Sequence, residues 1–363
     1  NPGTISLGQG VVSWGPPESA YEGIDRFRED VENHKYKLAQ GIPPLLDLIG
    51  EKLTVENGIE LDPKDRVFVT AGANMAFINA VLAIADVGDE IILPAPFYFN
   101  HEMAVTMLGG NPVVVPTDSN HQLDLDAMRS AITKRTRAIV TTSPNNPSGA
   151  VYPEEDLRAV TALCREFGLF HISDEAYEYF TFDGASHFSP GSAKDADEHV
   201  ISLFSLSKAY GFASWRIGYM ATPPQLIDAV KKIQDTNLIC PPVVSQFAAL
   251  EAIRTGRAYC EEKLAEVQNV RNLVMERLAG WEEFATTAPA KGAFYFLLKI
   301  KTDLKSLSVA QRLIEEYKVA VIPGSAFGLT KNCFLRIAYG VLDRSTCEEA
   351  LDRLEKGLAA ITS

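Results

Sequence analysis

Seven short apolar segments, separated by stretches with helical periodicity, constrain the fold more than any other feature of this 363-residue sequence. The segments are Arg66–Thr70, Glu90–Leu93, Pro112–Val115, Ala138–Thr142, Leu169–Ser173, Val200–Ser205 and Ile217–Ala221. Helical patterns between them include Ala73–Ala85, Leu123–Ile132 and Glu154–Phe167. Strands that alternate with helices form βαβ units, whose strands run mostly parallel. The sequence therefore predicts a large α/β domain built on a mostly parallel, seven-stranded sheet.

The pattern changes after Pro241–Pro242, where longer helical segments replace the alternation. Two helical patterns come first, at Val243–Arg254 and Arg257–Leu278. The later candidates are the strands Gly292–Ile300, Val319–Ile322 and Cys333–Ala338 and the helices Ser308–Tyr317 and Thr346–Ile361. We therefore predict a large α/β domain over residues 38–240 and a smaller α+β domain formed by residues 1–37 and 241–363.

Charge and hydropathy argue against two classes of partner. The chain carries 34 Lys and Arg against 47 Asp and Glu, a net charge of −13, whereas nucleic-acid-binding proteins normally present a basic surface. No apolar run approaches the ~20 residues that span a bilayer. The expectation is a protein that binds neither nucleic acid nor membranes.

Cysteine and histidine spacing gives no sign of a disulfide framework or a metal site. The five cysteines are scattered and form no CxxC pair, and the six histidines show no metal-ligand spacing. Free thiols suit a reducing compartment, and no secretory signal is visible. We therefore expect a cytoplasmic protein without a bound metal.

Candidate functional residues follow the predicted strands, because ligands of parallel α/β sheets bind beyond the carboxyl ends of the strands. The segment Ala71-Gly72-Ala73-Asn74 comes after the first strand and opens a helix. Small residues at a helix N-terminus expose backbone N–H groups to an anion. The same residues would equally suit tight packing of the helix.

Two further strand ends carry an amide and an acid. Asn146 lies in the segment SPNNPSG at 143–149, which can also be a simple turn. Asp174 follows the strand Leu169–Ser173, with Tyr177 three residues later. A solvated loop acid is the alternative interpretation of Asp174.

Three cationic side chains stand out by their positions. Lys208 follows the strand Val200–Ser205, with Arg216 eight residues later. Burial lowers the pKa of a lysine amine and makes it a nucleophile suited to Schiff-base chemistry. Arg336 lies within the apolar run Cys333–Ala338, where a guanidinium suits a substrate carboxylate or, alternatively, a structural salt bridge.

Together these residues supply what pyridoxal 5′-phosphate (PLP) requires of a protein. The chain offers an anion-binding loop, an aromatic run at Pro96–Phe99 for stacking, an acid for the pyridine nitrogen and a strand-end lysine. PLP is therefore the expected cofactor.

The chain resembles the class I aminotransferases, which are PLP-dependent transferases of fold type I in the aspartate aminotransferase superfamily. The resemblance extends from Leu7-Gly8-Gln9-Gly10 to the region of Arg336. It rests on SPNNPSG at 143–149, DEAY at 174–177 and SLSK at 205–208 with Arg216, in the order of the family. It implies a large domain with a mostly parallel seven-stranded sheet and a smaller α+β domain.

The resemblance also implies roles toward the cofactor. Lys208 would form the Schiff base and move the substrate proton, and Asp174 would hold the protonated ring nitrogen. Tyr177 and Asn146 would hydrogen-bond the ring hydroxyl, and Tyr98 would stack on the ring. The phosphate would be bound by Gly72, Ala73, Asn74, Ser205 and Arg216.

Substrate binding and assembly follow from the same resemblance. Arg336 would bind the α-carboxylate of the substrate, with Asn146 and the backbone near Gly10 assisting. Trp14, with Phe97 and Phe327, would line an apolar side-chain pocket, and ordinary core packing is the alternative interpretation of these aromatic residues. In the family, the tyrosine that matches Tyr36 reaches the phosphate of the partner subunit, which implies a homodimer with shared active sites.

The implied reaction is ping-pong transfer of an amino group between an L-amino acid and a 2-oxo acid. The segments at 9–17 and 233–240 are most similar to a subgroup that includes plant aminotransferases acting on methionine and aromatic amino acids. Some aspartate-specific members carry lysine where this chain has Asn74. We therefore expect an aromatic or methionine-like substrate, with an aspartate- or glutamate-specific enzyme as the alternative.

Other reactions remain open at this point. A β-lyase or an enzyme like aminocyclopropane carboxylate synthase uses the same lysine, acid and arginine. The SxxK pattern at 205–208 also occurs in penicillin-recognising enzymes, but the S-D-N and K-T-G motifs are replaced by SDE at 173–175 and KTD at 301–303. A ligand-sensing regulator on this fold would carry an N-terminal DNA-binding module, and the sequence shows none.

Overall fold

The computed structural model describes residues 1–362, which form two sheets with their helices and one short strand pair. The strands are β1 (Ile5–Ser6), β2 (Val67–Thr70), β3 (Glu90–Ala95), β4 (Asn111–Pro116), β5 (Thr136–Thr142), β6 (Phe170–Asp174), β7 (Val200–Ser205), β8 (Gly218–Ala221), β9 (Ala285–Thr287), β10 (Tyr295–Ile300), β11 (Val319–Ala320), β12 (Ile322–Pro323) and β13 (Cys333–Ala338). The α-helices are α1 (Glu18–Arg28), α2 (Pro43–Asn57), α3 (Pro63–Arg66), α4 (Ala73–Ile84), α5 (Phe99–Met107), α6 (Leu125–Ala131), α7 (Glu154–Phe167), α8 (Leu206–Ala209), α9 (Ile227–Asn237), α10 (Val243–Arg254), α11 (Arg257–Ala279), α12 (Ser306–Tyr317) and α13 (Arg344–Thr362).

The large sheet has the strand order β2-β8-β7-β6-β5-β3-β4. Only β8 runs against its neighbours, since it pairs antiparallel with both β2 and β7. All seven strands lie where the apolar segments predict them, and the α/β fold class with a mostly parallel sheet is confirmed. The carboxyl ends of the six parallel strands consequently lie at the same edge of this sheet.

Helices cover both faces of the large sheet, which explains why its strands are almost continuously apolar. Successive residues of β3 show the two layers. Ile91 belongs to a buried cluster that contains Phe77 of α4, whereas Ile92 belongs to a second cluster that contains Val160 of α7. The strands are therefore held between two packed layers, which fixes the positions of their carboxyl ends.

The small sheet is antiparallel, with the order β12-β13-β10-β9. Its central pair places Leu297 of β10 opposite Arg336 of β13. The N-terminal segment joins this part of the molecule, because Ile5 of β1 pairs with Val319 of β11. The division at residues 37/38 and 240/241 stays a prediction.

One predicted strand is divided in the structure. The sequence predicts a single strand at Val319–Ile322, but β11 ends at Ala320 and β12 begins at Ile322. The reason is that the two halves have different partners: β11 pairs with β1, and β12 pairs with β13. Within residues 1–362, no helix combines the length and apolar character needed to cross a membrane.

Candidate active site

A cavity of about 250 Å³ lies at the carboxyl edge of the large sheet, where the small sheet and the N-terminal segment meet it. Most of the predicted site residues line this cavity: Gly10, Ala73, Asn74, Tyr98, Asn146, Asp174, Tyr177, Ser205, Lys208, Arg216 and Arg336. The other lining residues are Gly8, Phe99, Thr142, Ala176, Ser207, Tyr295 and Ile322. Residues from both ends of the chain therefore meet at one site.

One end of the cavity is built for an anion. Gly72 has φ +79° directly before α4, and a Cβ at this position would collide with the guanidinium of Arg216. Arg216 itself donates from Nη1 to the carbonyl of Ala213 at 2.8 Å and from Nη2 to that of Ala71 at 3.3 Å. The N-terminus of α4 adds unpaired backbone N–H groups and the positive end of its dipole. Gly72 thus lies behind the cavity wall and allows helix and guanidinium to approach each other.

Asp174 is the buried last residue of β6. Its Oδ1 accepts a hydrogen bond from the backbone N–H of Ala176 at 3.1 Å, and its Oδ2 lies 3.1 Å from Nε2 of His101. His101 in turn stacks on Phe77 with ring centroids 4.1 Å apart. Asp174 is therefore a fixed carboxylate facing the cavity rather than a solvated loop acid.

Sequence reasoning missed His101, although a signal existed. His101 lies three residues after Tyr98 at the start of α5, and residues at this spacing share one face of a helix. The ring centroids of the two residues are 5.3 Å apart. His101 therefore lies beside Tyr98, the tyrosine that is predicted to stack on the cofactor ring.

Lys208 lies on α8, directly after β7. Burial lowers the pKa of its amine to about 8, and the positive charges of Arg216 and Arg336 act in the same direction. The negative charge of Asp174 opposes this shift only in part. A considerable fraction of Lys208 is therefore neutral and nucleophilic near neutral pH.

Arg336 is buried and held by oxygen atoms that carry no full charge. Its Nη1 donates to Oδ1 of Asn146 at 2.9 Å and its Nη2 to the carbonyl of Gly8 at 2.5 Å. Its guanidinium carbon lies 4.6 Å from the ring centroid of Tyr295 and 5.2 Å from that of Phe327. No carboxylate among residues 1–362 forms an ion pair with Arg336, so the alternative of a structural salt bridge has no partner in the described chain.

Tyr177 and Tyr295 form a buried hydroxyl pair with an O···O distance of 2.6 Å. Burial raises the pKa of Tyr177 well above its ordinary value and that of Tyr295 to about 12. Sequence reasoning missed Tyr295. The sequence carries no signal for it, because its position depends on the pairing of β10 with β13: Tyr295 is two residues from Leu297, the partner of Arg336, and so faces the same side of the sheet.

Three predicted site residues do not line the cavity: Gly72, which lies behind its wall, Tyr36 and Trp14. Tyr36 is exposed on the surface, with 78% of its area accessible. Trp14 stacks against Phe180 with ring centroids 6.2 Å apart. Trp14, Phe97 and Phe327 do not line this cavity, whose apolar wall is formed by Phe99 and Ile322, and the apolar side-chain pocket expected from the three aromatic residues stays a prediction.

The lowered pKa of Lys208 can be tested by its reactivity in the protein without cofactor. Acetic anhydride attacks only neutral amines, so we expect acetylation of Lys208 to be half-maximal near pH 8. Peptide mapping by mass spectrometry over a pH series measures this, with the exposed Lys134 as the internal reference for reagent decay. Arg336→Gln removes a neighbouring cation and should raise the midpoint. A midpoint near 10 in the wild type would show that burial does not activate this amine.

The chain is similar to known proteins along nearly its whole length. Residues 2–354 match the family model described as aminotransferase class I and II. Among curated proteins, the chain is 35% identical to aromatic-amino-acid aminotransferase 2 of Thermococcus litoralis, with 98% of this chain and 92% of the relative covered. It is 36% identical to the aspartate aminotransferase of Pyrococcus abyssi, with coverage of 98% and 91%.

A solved structure shows the same fold. The aromatic aminotransferase from Pyrococcus horikoshii OT3 superimposes with a TM-score of 0.92 at 35% identity, covering 98% of this chain and 96% of that one. Similarity at this level along nearly the whole chain confirms the resemblance seen in the motifs. The chain belongs to the class I and II aminotransferases and is an enzyme that transfers amino groups.

Proposed function

We propose that the cavity binds PLP and that the enzyme transfers the amino group of a neutral, aromatic or methionine-like L-amino acid to a 2-oxo acid by a ping-pong mechanism. The observation that carries this proposal is that Lys208, Asp174 and Arg216 all line one cavity, with Arg336 beside them. An amine of lowered pKa, a carboxylate and two guanidiniums are the groups that a phosphorylated pyridine aldehyde and an amino acid require.

The phosphate end of PLP fits the anion-binding end of the cavity. The N-terminus of α4, the hydroxyl of Ser205 and the guanidinium of Arg216 are donors there, and the described chain places no ion-pair partner on Arg216. Gly72 is required for this arrangement, since a side chain there would displace the guanidinium. The donors match a dianion in both charge and hydrogen-bonding capacity.

The ring end fits as well. Asp174 would bind a protonated pyridine nitrogen, and His101 holds the carboxylate in place. Tyr98 presents an aromatic ring at the wall, and burial raises the pKa of its hydroxyl, so that this side chain stays neutral. Tyr177 is likewise neutral and can donate a hydrogen bond to a ring oxygen. When bound, PLP supplies an electron sink that stabilises negative charge at the substrate α-carbon.

The protein's own residues then direct the reaction. Arg336 binds the α-carboxylate and so orients the substrate, with Asn146 fixing the guanidinium. Lys208 holds the proton that leaves the α-carbon, since its pKa of about 8 allows it both to accept and to release a proton near neutral pH.

The lining of the cavity supports a substrate with a neutral side chain. Its cations are Lys208, Arg216 and Arg336, and each already has a role toward the cofactor or the α-carboxylate. No fourth cation of the described chain lines the cavity, and Phe99 and Ile322 are apolar. The relative named aspartate aminotransferase favours the acidic alternative, and a β-lyase reaction would use the same residues.

A homodimer with shared active sites is part of the proposal. Asn74 and Arg216, at the phosphate end, are exposed in the single chain, so this end of the site is open. A second exposed region, the segment 31–38, carries the apolar side chains Val31, Tyr36 and Leu38. If the segment of one subunit covers the phosphate end of the other, both surfaces are removed from water. The proposal extends to a reducing, cytoplasmic location, supported by the five free cysteines.

The absorption spectrum tests the cofactor and the reaction together. After loading with PLP and removal of the excess by dialysis, the purified enzyme should keep a visible band, and borohydride should attach the cofactor covalently to Lys208 in the wild type but not in the Lys208→Ala variant. Phenylalanine, tyrosine or methionine alone should then convert the band in one half-reaction, and a 2-oxo acid should restore it. A colourless wild type would overturn the cofactor assignment. Release of ammonia and pyruvate from a substrate with a β-leaving group, without a new amino acid, would establish the β-lyase alternative.

Substrate class is tested by adding a cation. Asn74→Lys places an amine at the cavity wall, where it can pair with a second carboxylate. We expect kcat/KM for aspartate relative to phenylalanine to rise by about tenfold or more, because charge-assisted hydrogen bonds contribute roughly 1.5–3 kcal/mol. Met75→Lys is the matched control, since the neighbouring Met75 does not line the cavity. A wild type that already prefers aspartate or glutamate would contradict the neutral-substrate proposal.

The shared site is tested by Tyr36→Phe. If the Tyr36 hydroxyl reaches the phosphate bound to the partner subunit, its loss should weaken PLP affinity by about tenfold, as expected for a hydrogen bond to a charged group. Tyr317→Phe removes a hydroxyl remote from the cavity and should leave the affinity unchanged. Sedimentation should show a dimer for both variants. A monomeric wild type, or identical PLP affinities, would exclude this role of Tyr36.

A further inference from the structure

Tyr295 contacts two functional side chains of the cavity, Tyr177 and Arg336, and no motif of the sequence singles it out. We propose that Tyr295 is a positioning residue with two separable functions: its hydroxyl orients the Tyr177 hydroxyl toward the cofactor, and its ring orients the Arg336 guanidinium toward the substrate carboxylate. This inference rests on the proposed function, because the cofactor and the substrate carboxylate are the groups that the cavity is proposed to bind.

The hydrogen bond between the Tyr295 and Tyr177 hydroxyls bears on where the hydrogen of Tyr177 points. The two oxygens are 2.6 Å apart, so one hydroxyl donates to the other. Tyr177 is the only hydrogen-bond partner of the Tyr295 hydroxyl among residues 1–362. If Tyr295 donates, the hydrogen of Tyr177 is free to point into the cavity toward a ring oxygen. Donation in this direction also polarises the Tyr177 hydroxyl and makes it a stronger donor.

The ring contact acts on Arg336. The guanidinium carbon lies 4.6 Å from the Tyr295 ring centroid, while its two terminal nitrogens donate to Asn146 and Gly8. Contacts of this kind between a cation and an aromatic ring stabilise the cation, most strongly when both are desolvated, as here. The ring thus fixes the orientation of the guanidinium plane, and the two hydrogen bonds fix how the guanidinium is rotated within that plane.

The N-terminal segment fixes Tyr295 in turn. A Cβ on Gly10 would collide with the Tyr295 hydroxyl, so the backbone at Gly10 packs directly against it. Gly10 has no positive φ, and the requirement for glycine is therefore one of space and not of backbone conformation. Tyr295 lies on the small sheet, whereas Tyr177 follows β6 of the large sheet. The pair therefore connects the two sheets across the site.

The hydroxyl function is tested with Tyr295→Phe, Tyr177→Phe and the double variant, using the pH titration of the visible band of the PLP-loaded enzyme. A hydrogen bond to the ring oxygen stabilises its ionised form, so Tyr177→Phe should raise the titration midpoint. Tyr295→Phe should raise it in the same direction by a smaller amount, about threefold in proton affinity, and the double variant should match Tyr177→Phe alone. Independent, additive shifts would overturn the proposed coupling.

The ring function is tested by binding of 3-phenylpropionate, a carboxylate that lacks the amino group and cannot react. Tyr295→Phe keeps the ring and should bind it within about twofold of the wild type. Tyr295→Leu removes the ring and should bind it about tenfold more weakly, within the range expected for a desolvated cation–π contact. Equal affinities of Tyr295→Leu and the wild type would overturn this half of the proposal.

Two controls separate the inference from the proposed function. Tyr339→Phe removes another buried hydroxyl beside the small sheet that does not line the cavity, and it should change neither readout. The thermal midpoints of the cofactor-free single and double variants should show coupling between Tyr177 and Tyr295 whether or not PLP is the cofactor. A wild type without a visible band would end the proposed function. If the thermal midpoints of the cofactor-free variants show no coupling between Tyr177 and Tyr295, the inference is wrong, whatever the outcome for the proposed function.

Discussion

Positive charge that no carboxylate of the described chain pairs with, at the edge of a parallel sheet, is the constraint on which this structure depends. Arg216 and Arg336 are held by carbonyl and amide oxygens, which satisfy their hydrogen bonds without neutralising their charge. Among residues 1–362, Asp174 is the one carboxylate that lines the cavity, and it lies against His101. The cavity therefore keeps an excess of positive charge, and anions relieve it. The proposed function assigns these anions: the α-carboxylate of an amino acid at Arg336 and the phosphate of the cofactor at Arg216.

The fold supplies what this charge requires. A guanidinium can stay buried, as that of Arg336 does, only if its acceptors are held rigidly, and Arg336 and its two acceptors come from three separate parts of the chain. Gly8 belongs to the N-terminal segment, Asn146 follows β5 of the large sheet, and Arg336 itself lies on β13 of the small sheet. The site therefore exists only where the two sheets and the N-terminal segment meet.

Sequence reasoning located the large sheet well because its signal is local. Each of the seven strands is a short apolar run, and all except the edge strand β4 are buried along most of their length, so pattern and structure agree strand by strand. The residues at the strand ends followed from the general rule that ligands bind there. Arg336 was found because a charged residue within an apolar strand is unusual. The division between β11 and β12 was missed, since it depends on two different partner strands.

The misses inside the site have a common physical cause. Tyr295 reaches Arg336 and Tyr177 only through the register of β10 against β13, and a single sequence does not state a register. His101 meets Asp174 only because α5, which packs on α4 and β4, begins close to the end of β6. The ring of Trp14 packs on Phe180, and its role toward a substrate stays a prediction. Local patterns identify the groups, and tertiary contacts decide which of them meet.

The contact between Gly8 and Arg336 has a consequence for the order of events during synthesis. The two residues are 328 positions apart in the chain, and β1 pairs with β11, which is also made late. Because a chain emerges from the ribosome N-terminus first, Gly8 stays without its partner until the chain has been translated as far as Arg336. The large sheet can form during that time, but the side of the cavity that contains Arg336 cannot. This side of the cavity is therefore assembled late, and a residue made long before its partner is among the last to reach its place.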